Sequence, residues 1–147
     1  MNIGTSKKEY DKMVKQASPN SRIGANCVRA FLVGGAICVF GQGLSSIFMA
    51  MGADKDMAGT LVAVALIFLA ILVTGLGKYD DLVTFAGAGA SVPITGFANA
   101  VAAPAIEFKK EGYIMGVGAK MFLIAGPVIV YGTLASMVVG LIYYFVR

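Results

Sequence analysis

Four long stretches of this sequence contain no charged residue, and they leave little chain from which a soluble core could be built. They run over 30–51, 57–77, 82–106 and 121–146, and together they hold 94 of the 147 residues. A helix needs about 20 apolar residues to cross a bilayer, so each stretch is long enough. Charged residues make up only 14% of the chain, whereas soluble domains carry roughly a quarter. The sequence therefore predicts an all-α, polytopic membrane protein with three to four transmembrane helices.

A polar tail, residues 1–29, precedes the membrane domain, residues 30–147. Apolar residues recur in the tail at helical spacing, opposite a face rich in lysine: Tyr10, Met13, Val14 and Ala17. This pattern predicts a basic amphipathic helix, which either lies on an anionic membrane surface or docks on a partner. Six Lys or Arg residues and two acidic residues precede Ala30, and this excess predicts a cytoplasmic N-terminus.

The third stretch, 82–106, is rich in glycine and alanine and contains two prolines. Pro93 removes a backbone donor and disfavours helical geometry at Val92, so the stretch is predicted to break there. We expect two half-helices joined near 91–96, with Pro93 and Gly96 at the break. Each half would be about 15 Å long, half the thickness of the hydrocarbon core.

The broken stretch either spans the membrane or turns back, and the two topologies distribute the basic residues differently. A re-entrant segment leaves ten Lys or Arg residues inside and two outside, whereas a spanning segment leaves eight inside and four outside. Since basic residues concentrate on the cytoplasmic side, the count favours a re-entrant segment, with the C-terminus outside.

Polar side chains inside the apolar stretches are the candidates for a transport pathway. Ser91, Thr95 and Asn99 follow one another at four-residue spacing, and Gln42 lies in the first stretch. Such residues either line a solute path or hydrogen-bond neighbouring helices, and the sequence leaves both interpretations open. At a helix break, Thr95 could cap the second half-helix. The positive end of that half-helix would suit an anionic solute.

Small residues predict close helix packing in the first and last stretches. Those predicted to pack are Gly41, Ser45, Gly132, Ser136 and Gly140. The two stretches also align at a spacing of 91 residues, with six identities in fifteen positions and Arg29 opposite Lys120. This similarity is either an internal repeat or the chance likeness of two glycine-rich helices. We expect homo- or hetero-oligomers that use the glycine faces, and we expect the second stretch to face lipid.

The remaining polar residues give no sign of catalysis. Histidine is absent, and all eight carboxylates lie outside the four stretches, so the sequence predicts no catalytic site, no metal site and no cofactor. Cys27 and Cys38 would lie about 16 Å apart on one helix, too far for a disulfide, and are predicted to be buried thiols. The charges that bound the apolar stretches are Lys78, Asp80, Asp81, Glu107 and Lys120. The turn at 78–81 is either salt-bridged or part of a charged vestibule.

Four segments of the sequence carry a family resemblance. They are AFLVGGAICVFGQG at 30–43, LVTGLGKYD at 72–80, FAGAGASVPITGFANA at 85–100 and EGYIMGVGAKMFLIAGPVIVYG at 111–132. Together they resemble the SpoVA membrane proteins of endospore-forming bacteria, from about Asn26 to the C-terminus. The AN that follows TGF and the EFKKEG loop are more similar to AC-type than to AE-type subunits of that family.

The resemblance implies a subunit of a channel in the inner membrane of the forespore and spore. That channel moves dipicolinic acid, with calcium, into the developing spore and releases it at germination, and AC-type subunits are associated with opening by membrane tension. The implied partners are the soluble AD-type subunit, which binds dipicolinate, and the AE-type membrane subunit. A scaffold that assembles these partners without conducting is the alternative. An ion-coupled transporter is disfavoured because no carboxylate lies within an apolar stretch.

Overall fold

The computed structural model describes residues 7–17 and 21–146; residues 1–6 and 18–20 of the predicted tail lie outside the described part of the chain. The described residues are helical and form no strand, so the predicted all-α membrane fold is confirmed. Three of their helices are long and apolar enough to cross a membrane: Ile23–Ala50, Lys55–Gly75 and Tyr113–Val146.

Seven α-helices follow one another along the described chain. They are α1 (Lys7–Ala17), α2 (Ile23–Ala50), α3 (Lys55–Gly75), α4 (Tyr79–Ala86), α5 (Ala88–Ser91), α6 (Ile94–Glu107) and α7 (Ala119–Val146). A 3₁₀ turn, Phe108–Glu111, and a π-helical turn, Tyr113–Gly118, connect α6 to α7. In α1, the apolar side chains of Tyr10, Met13 and Val14 are all exposed, as expected of a helix that meets a membrane or a partner.

Helices α2 and α3 form a hairpin closed by a short polar turn. Gly52 takes a positive φ of 97° in this turn, and the side chain of Asp54 accepts a 3.0 Å hydrogen bond from the backbone N–H of Met57, which caps α3. Gly41 of α2 is buried against α3, where an added Cβ would lie 3.5 Å from Leu66 Cδ1. A methyl group would therefore fit here in ordinary van der Waals contact with α3.

Helix α3 is the central helix of the membrane domain and packs against α2, α4 and α6. Ala70 of α3, Tyr79 of α4 and Ala98 of α6 form the buried cluster at its core. The expectation that the second stretch faces lipid holds for one side only: Phe68 is exposed, whereas Ala58 and Ala70 are buried. Small residues on the other side of α3 let its neighbours approach.

The segment from α4 to α6 is interrupted twice. The predicted interruption lies at Val92 and Pro93, between α5 and α6. Gly96, also predicted to lie at the break, instead belongs to the first turn of α6. A second one, which the sequence analysis did not identify, lies at Gly87, whose φ of 55° is easily accessible only to glycine. Gly89 packs so closely on α2 that an added Cβ would overlap the carbonyl of Ala30. Gly96 likewise leaves no space for a side chain beside the carbonyl of Ser91.

Both ends of this broken segment lie at the same end of the α2–α3 hairpin. Asp80, near the start of the segment, and Ala103, near its end, line one pocket together with Gly77, just beyond the end of α3. Thr95, between them along the chain, lies deeper, against the middle of both helices. Helix α6 has 14 residues and is about 21 Å long, short of the roughly 30 Å hydrocarbon core. The segment therefore enters and leaves from one side, as a re-entrant segment does.

The last helix, α7, leaves the rest of the molecule after its first turns. Ala125 is buried against the preceding elements, whereas every residue from Pro127 to Val146 is exposed. Cys27 and Cys38 are also exposed, on α2, so the prediction that they are buried thiols is wrong. Helix α2 meets its neighbours through glycine and alanine, and the two cysteines lie on its other sides.

Candidate functional site

Asn99 lies in a small polar pocket at the end of α3. The hydroxyl of Thr74 donates a 2.8 Å hydrogen bond to Oδ1 of Asn99. The pocket has a volume of about 100 Å³ and is lined by Thr74, Gly77, Tyr79, Asp80, Asn99 and Ala103. Asp80 is the only charged residue among these residues, and it is exposed.

A larger, apolar groove lies deeper, between α2 and α3. Its volume is about 470 Å³, and its walls include Leu32, Ala36 and Phe40 from α2 and Leu66, Leu69 and Val73 from α3. Residues of the broken segment form its floor, among them Thr95. No charged residue lines the groove, so its walls can accommodate an apolar or neutral group and cannot neutralise an ion.

Tyr79 is shared by the linings of the pocket and the groove. It lines both cavities, and only 3% of its surface is exposed. Its hydroxyl donates a 2.9 Å hydrogen bond to the backbone carbonyl of Ala90, on α5. This bond links the start of α4 to the helix that packs against α2.

Thr95 is buried, with 8% of its surface exposed, and its hydroxyl has no hydrogen-bond partner among the described residues. The N-cap position of α6 is occupied by Pro93, and no side chain caps that helix. The predicted capping by Thr95 therefore does not occur in this conformation. A buried hydroxyl without a partner is costly, and such groups are often found where a protein binds or moves.

The structure separates the other predicted pathway residues from this pair of cavities. Ser91 is exposed, and its hydroxyl donates to the carbonyl of Gly87 within the broken segment. Gln42 is exposed on α2, where its backbone carbonyl accepts a bond from Ser46. Of the four predicted residues, only Thr95 and Asn99 line a cavity beside Tyr79.

The first turn of α6, the predicted anion site, is covered by protein. Thr95 and Gly96 are buried, and the backbone N–H of Gly96 donates a 2.9 Å hydrogen bond to the carbonyl of Pro93. An anion could reach this helix end only if the turn were uncovered.

Charges surround the broken segment at its two ends. Arg29 of α2 lies 5.2 Å from the ring centre of Phe85, and Lys120 of α7 lies 4.6 Å from that of Phe108. These two cations occupy equivalent positions in the 91-residue alignment of α2 with α7, and each contacts an aromatic ring near one end of the broken segment. The other boundary charges, Lys78, Asp80, Asp81 and Glu107, are exposed.

Sequence reasoning missed Tyr79 and Thr74 as site residues. Tyr79 lies in a charged turn, where a single aromatic residue gives no periodic signal. Thr74 is separated from Asn99 by 25 residues, so their pairing depends on how α6 lies along α3. The sequence offers one signal for Thr74: it is a polar residue near the end of an otherwise apolar helix.

Comparison with known families shows where the chain belongs. The family of the SpoVAC/SpoVAEB sporulation membrane protein matches residues 26–142. The chain belongs to the SpoVAC/SpoVAEB family. The match covers the α2–α3 hairpin, the broken segment and most of α7, so both cavities lie within it. The family resemblance read from the sequence is therefore confirmed.

A curated relative in this family has a similar length. The stage V sporulation protein AC of Bacillus subtilis (strain 168) is 45% identical over 139 residues, which are 94% of this chain and 93% of the relative. No solved structure matches the chain. The SpoVAC/SpoVAEB match and the three apolar helices identify a multi-pass sporulation protein of the spore membrane.

Proposed function

We propose that this chain is a membrane subunit of the spore channel for dipicolinic acid. In this proposal the channel lies in the inner spore membrane, takes up the acid with calcium during sporulation, releases it at germination and opens under membrane tension. The family match supports it, together with what the SpoVA resemblance implies. The role is passive conduction, with no catalytic residue and no cofactor.

One observation carries the proposal: a re-entrant segment brings polar side chains into the membrane domain and borders two cavities there. The pocket at Asn99 opens near the end of α3, and the groove at Thr95 reaches the middle of the α2–α3 hairpin. Non-helical backbone at this depth is tolerated where it is covered by protein or lines a water-filled space. We infer that pocket and groove are the cytoplasmic half of the solute path.

The charges of the path indicate the form in which the solute passes. Asp80 is the only charged residue that lines the pocket, and no cation lines the groove to balance an anion. A free dianion would be repelled by Asp80 and would lose its hydration in the groove. The complex of one dipicolinate with one calcium ion is neutral and avoids both costs. We propose that this neutral complex is the permeating species.

The other half of the path needs further subunits. The groove ends near the middle of the hairpin, and the exposed face of α7 is available for packing. In this proposal AE-type membrane subunits or further copies of this chain complete the path. The AD-type soluble subunit delivers dipicolinate at the cytoplasmic mouth.

A non-conducting scaffold is the second candidate, and the exposed part of α7 favours it. Residues 127–146 are exposed along their whole length and include the predicted packing residues Gly132, Ser136 and Gly140. Twenty helical residues extend about 30 Å, the thickness of the hydrocarbon core. A helix of this kind could bind partners without taking part in conduction.

Efflux from proteoliposomes separates the two candidates. Vesicles loaded with dipicolinate, with and without equimolar calcium, would carry this chain with its AE-type partner and be shifted to lower osmolarity. The channel predicts faster efflux with calcium, and slower efflux from Asn99→Leu than from the control Thr60→Val, whose hydroxyl bonds within its own helix. Efflux that is the same for Asn99→Leu and wild type, with equal insertion, would favour the scaffold.

A further inference from the structure

Tyr79 is the only residue of the described chain that lines both the apolar groove and the polar pocket. It belongs to the buried cluster with Ala70 and Ala98, against which Ile67, Val73, Leu82 and Val83 pack. Both cavities are therefore bordered by this one residue. Displacing its side chain would change the lining of the 470 Å³ groove and of the 100 Å³ pocket together.

A single hydrogen bond holds the tyrosine hydroxyl in this position. The hydroxyl donates to the carbonyl of Ala90 over 2.9 Å. Ala90 is completely buried and belongs to α5, beside Gly89, which packs directly on the backbone of α2. The acceptor is thus fixed to the body of the protein, while the donor belongs to α4.

Helix α4 lies between two glycines in the left-handed region. Gly77 has a φ of 68° and Gly87 a φ of 55°, and an added Cβ would meet no neighbour within 4 Å at either position. These glycines are conformational joints rather than packing contacts. Hinges of this kind absorb backbone rotation at the ends of a short element.

The position of Thr95 indicates what the displacement would uncover. Its hydroxyl is buried beside the groove and has no partner among the described residues. In the closed arrangement this group loses its hydration without compensation. Water or a polar solute in the groove would provide the missing bond, and this favours the open arrangement once the passage is wetted.

We propose that Tyr79 is the gate of the cytoplasmic half-path. With its hydroxyl on Ala90 the passage is closed, and rotation of α4 about Gly77 and Gly87 opens it and exposes Thr95 to water. The inference relies on the proposed function for the solute that passes, whereas its test detects opening alone.

Cysteine labelling in membrane vesicles tests the gate without any solute flux. In a chain carrying Cys27→Ser and Cys38→Ser, Thr95→Cys would be treated with a charged, water-soluble thiol reagent, with Tyr79 intact or changed to Phe. Loss of the Tyr79 hydroxyl should raise the labelling rate at position 95 about two- to tenfold. This range corresponds to the free energy of one buried hydrogen bond. Tyr131→Phe, which removes an exposed hydroxyl on α7, should leave the rate unchanged.

A second cysteine distinguishes opening from general loosening. Asn99→Cys lies in the pocket rather than in the groove, so its labelling rate should be the same with Tyr79 and with Phe. Equal labelling rates at position 95 in the Tyr79 and Tyr79→Phe chains would contradict the proposed gate. A rise of the same size at positions 95 and 99 would also contradict it, because it would indicate general loosening. If Tyr79→Phe is not recovered folded, Tyr79→Met removes the same hydroxyl and carries the same expectation. A gate that opens in a chain that conducts no dipicolinate would contradict only the proposed function.

Discussion

Thr74 and Asn99 are joined across the interface of α3 and α6 by a hydrogen bond of 2.8 Å. The same hydroxyl lies 2.8 Å from the carbonyl of Ala70 in its own helix, so its single proton serves one acceptor at a time. The bond lies at the floor of the polar pocket and couples the position of α6 to the end of the central helix. The pocket therefore depends on a contact between two distant parts of the sequence.

A double-mutant cycle on this pair should show coupling. Thr74→Val and Asn99→Leu should each lower the free energy of unfolding in detergent by about 0.6–2 kcal/mol, because each removes an interhelical hydrogen bond. The double variant should lose less than the sum. Thr60→Val, which removes a bond confined to α3, is the control. Additive losses would show that the two side chains do not interact.

Close packing of α5 on α2 should make Gly89 intolerant of any side chain. Gly89→Ala places a methyl group on the backbone of Ala30 and should lower stability by about 1–3 kcal/mol. Gly35→Ala is the matched control, since an added Cβ meets nothing within 4 Å there. Thermal unfolding in one detergent compares them, and equal midpoints would contradict the packing.

The re-entrant segment predicts a definite sidedness of labelling. In chains with one cysteine each, Cys27 and Lys109→Cys should react with an impermeant thiol reagent from the cytoplasmic side, and Tyr144→Cys from the opposite side. The basic tail places the start of α2 on the cytoplasmic side. Because residues 79–107 enter and leave on that same side, Lys109 is expected there too. Labelling of Lys109→Cys from the same side as Tyr144→Cys would mean that the segment spans the membrane.

The exposed face of α7 should mediate contacts between chains. Gly132→Leu should reduce the oligomers captured by crosslinking in membranes, because a large side chain prevents close approach of a second helix. It should leave the stability of the isolated chain unchanged, since an added Cβ has no neighbour within 4 Å. Thr133→Leu, about 100° away around the same helix, is the control. If Gly132→Leu forms the same amount of crosslinked oligomer as the wild type, this face of α7 does not mediate contacts between chains.

Much of the fold could be predicted from the sequence because local signals determine it. Long uncharged stretches specify the membrane helices, and Pro93 specifies an interruption through its own backbone chemistry. Helix α2 nonetheless begins at Ile23, well before its apolar stretch. The residues there are compatible with a helix, and charge alone does not end one.

The candidate site was less predictable because it depends on tertiary contacts. The spacing of Ser91, Thr95 and Asn99 describes one face of a continuous helix, but the interruption at Val92 and Pro93 directs them to different surroundings. Tyr79 lines the groove only because the start of α4 packs against α3 and the residues that follow Pro93. The second interruption, at Gly87, lies in a run of small residues that fits a helix equally well.

A chemical block at Asn99 tests whether the solute passes along the re-entrant segment. In a chain without Cys27 and Cys38, Asn99→Cys would be reconstituted with the AE-type partner, and efflux of calcium dipicolinate would be measured before and after reaction with a bulky, water-soluble thiol reagent. Thr133→Cys, on the exposed part of α7, is the control. The account predicts that modification at position 99 stops most of the efflux while modification at position 133 does not. Full efflux after complete modification at position 99 would contradict a path along the re-entrant segment.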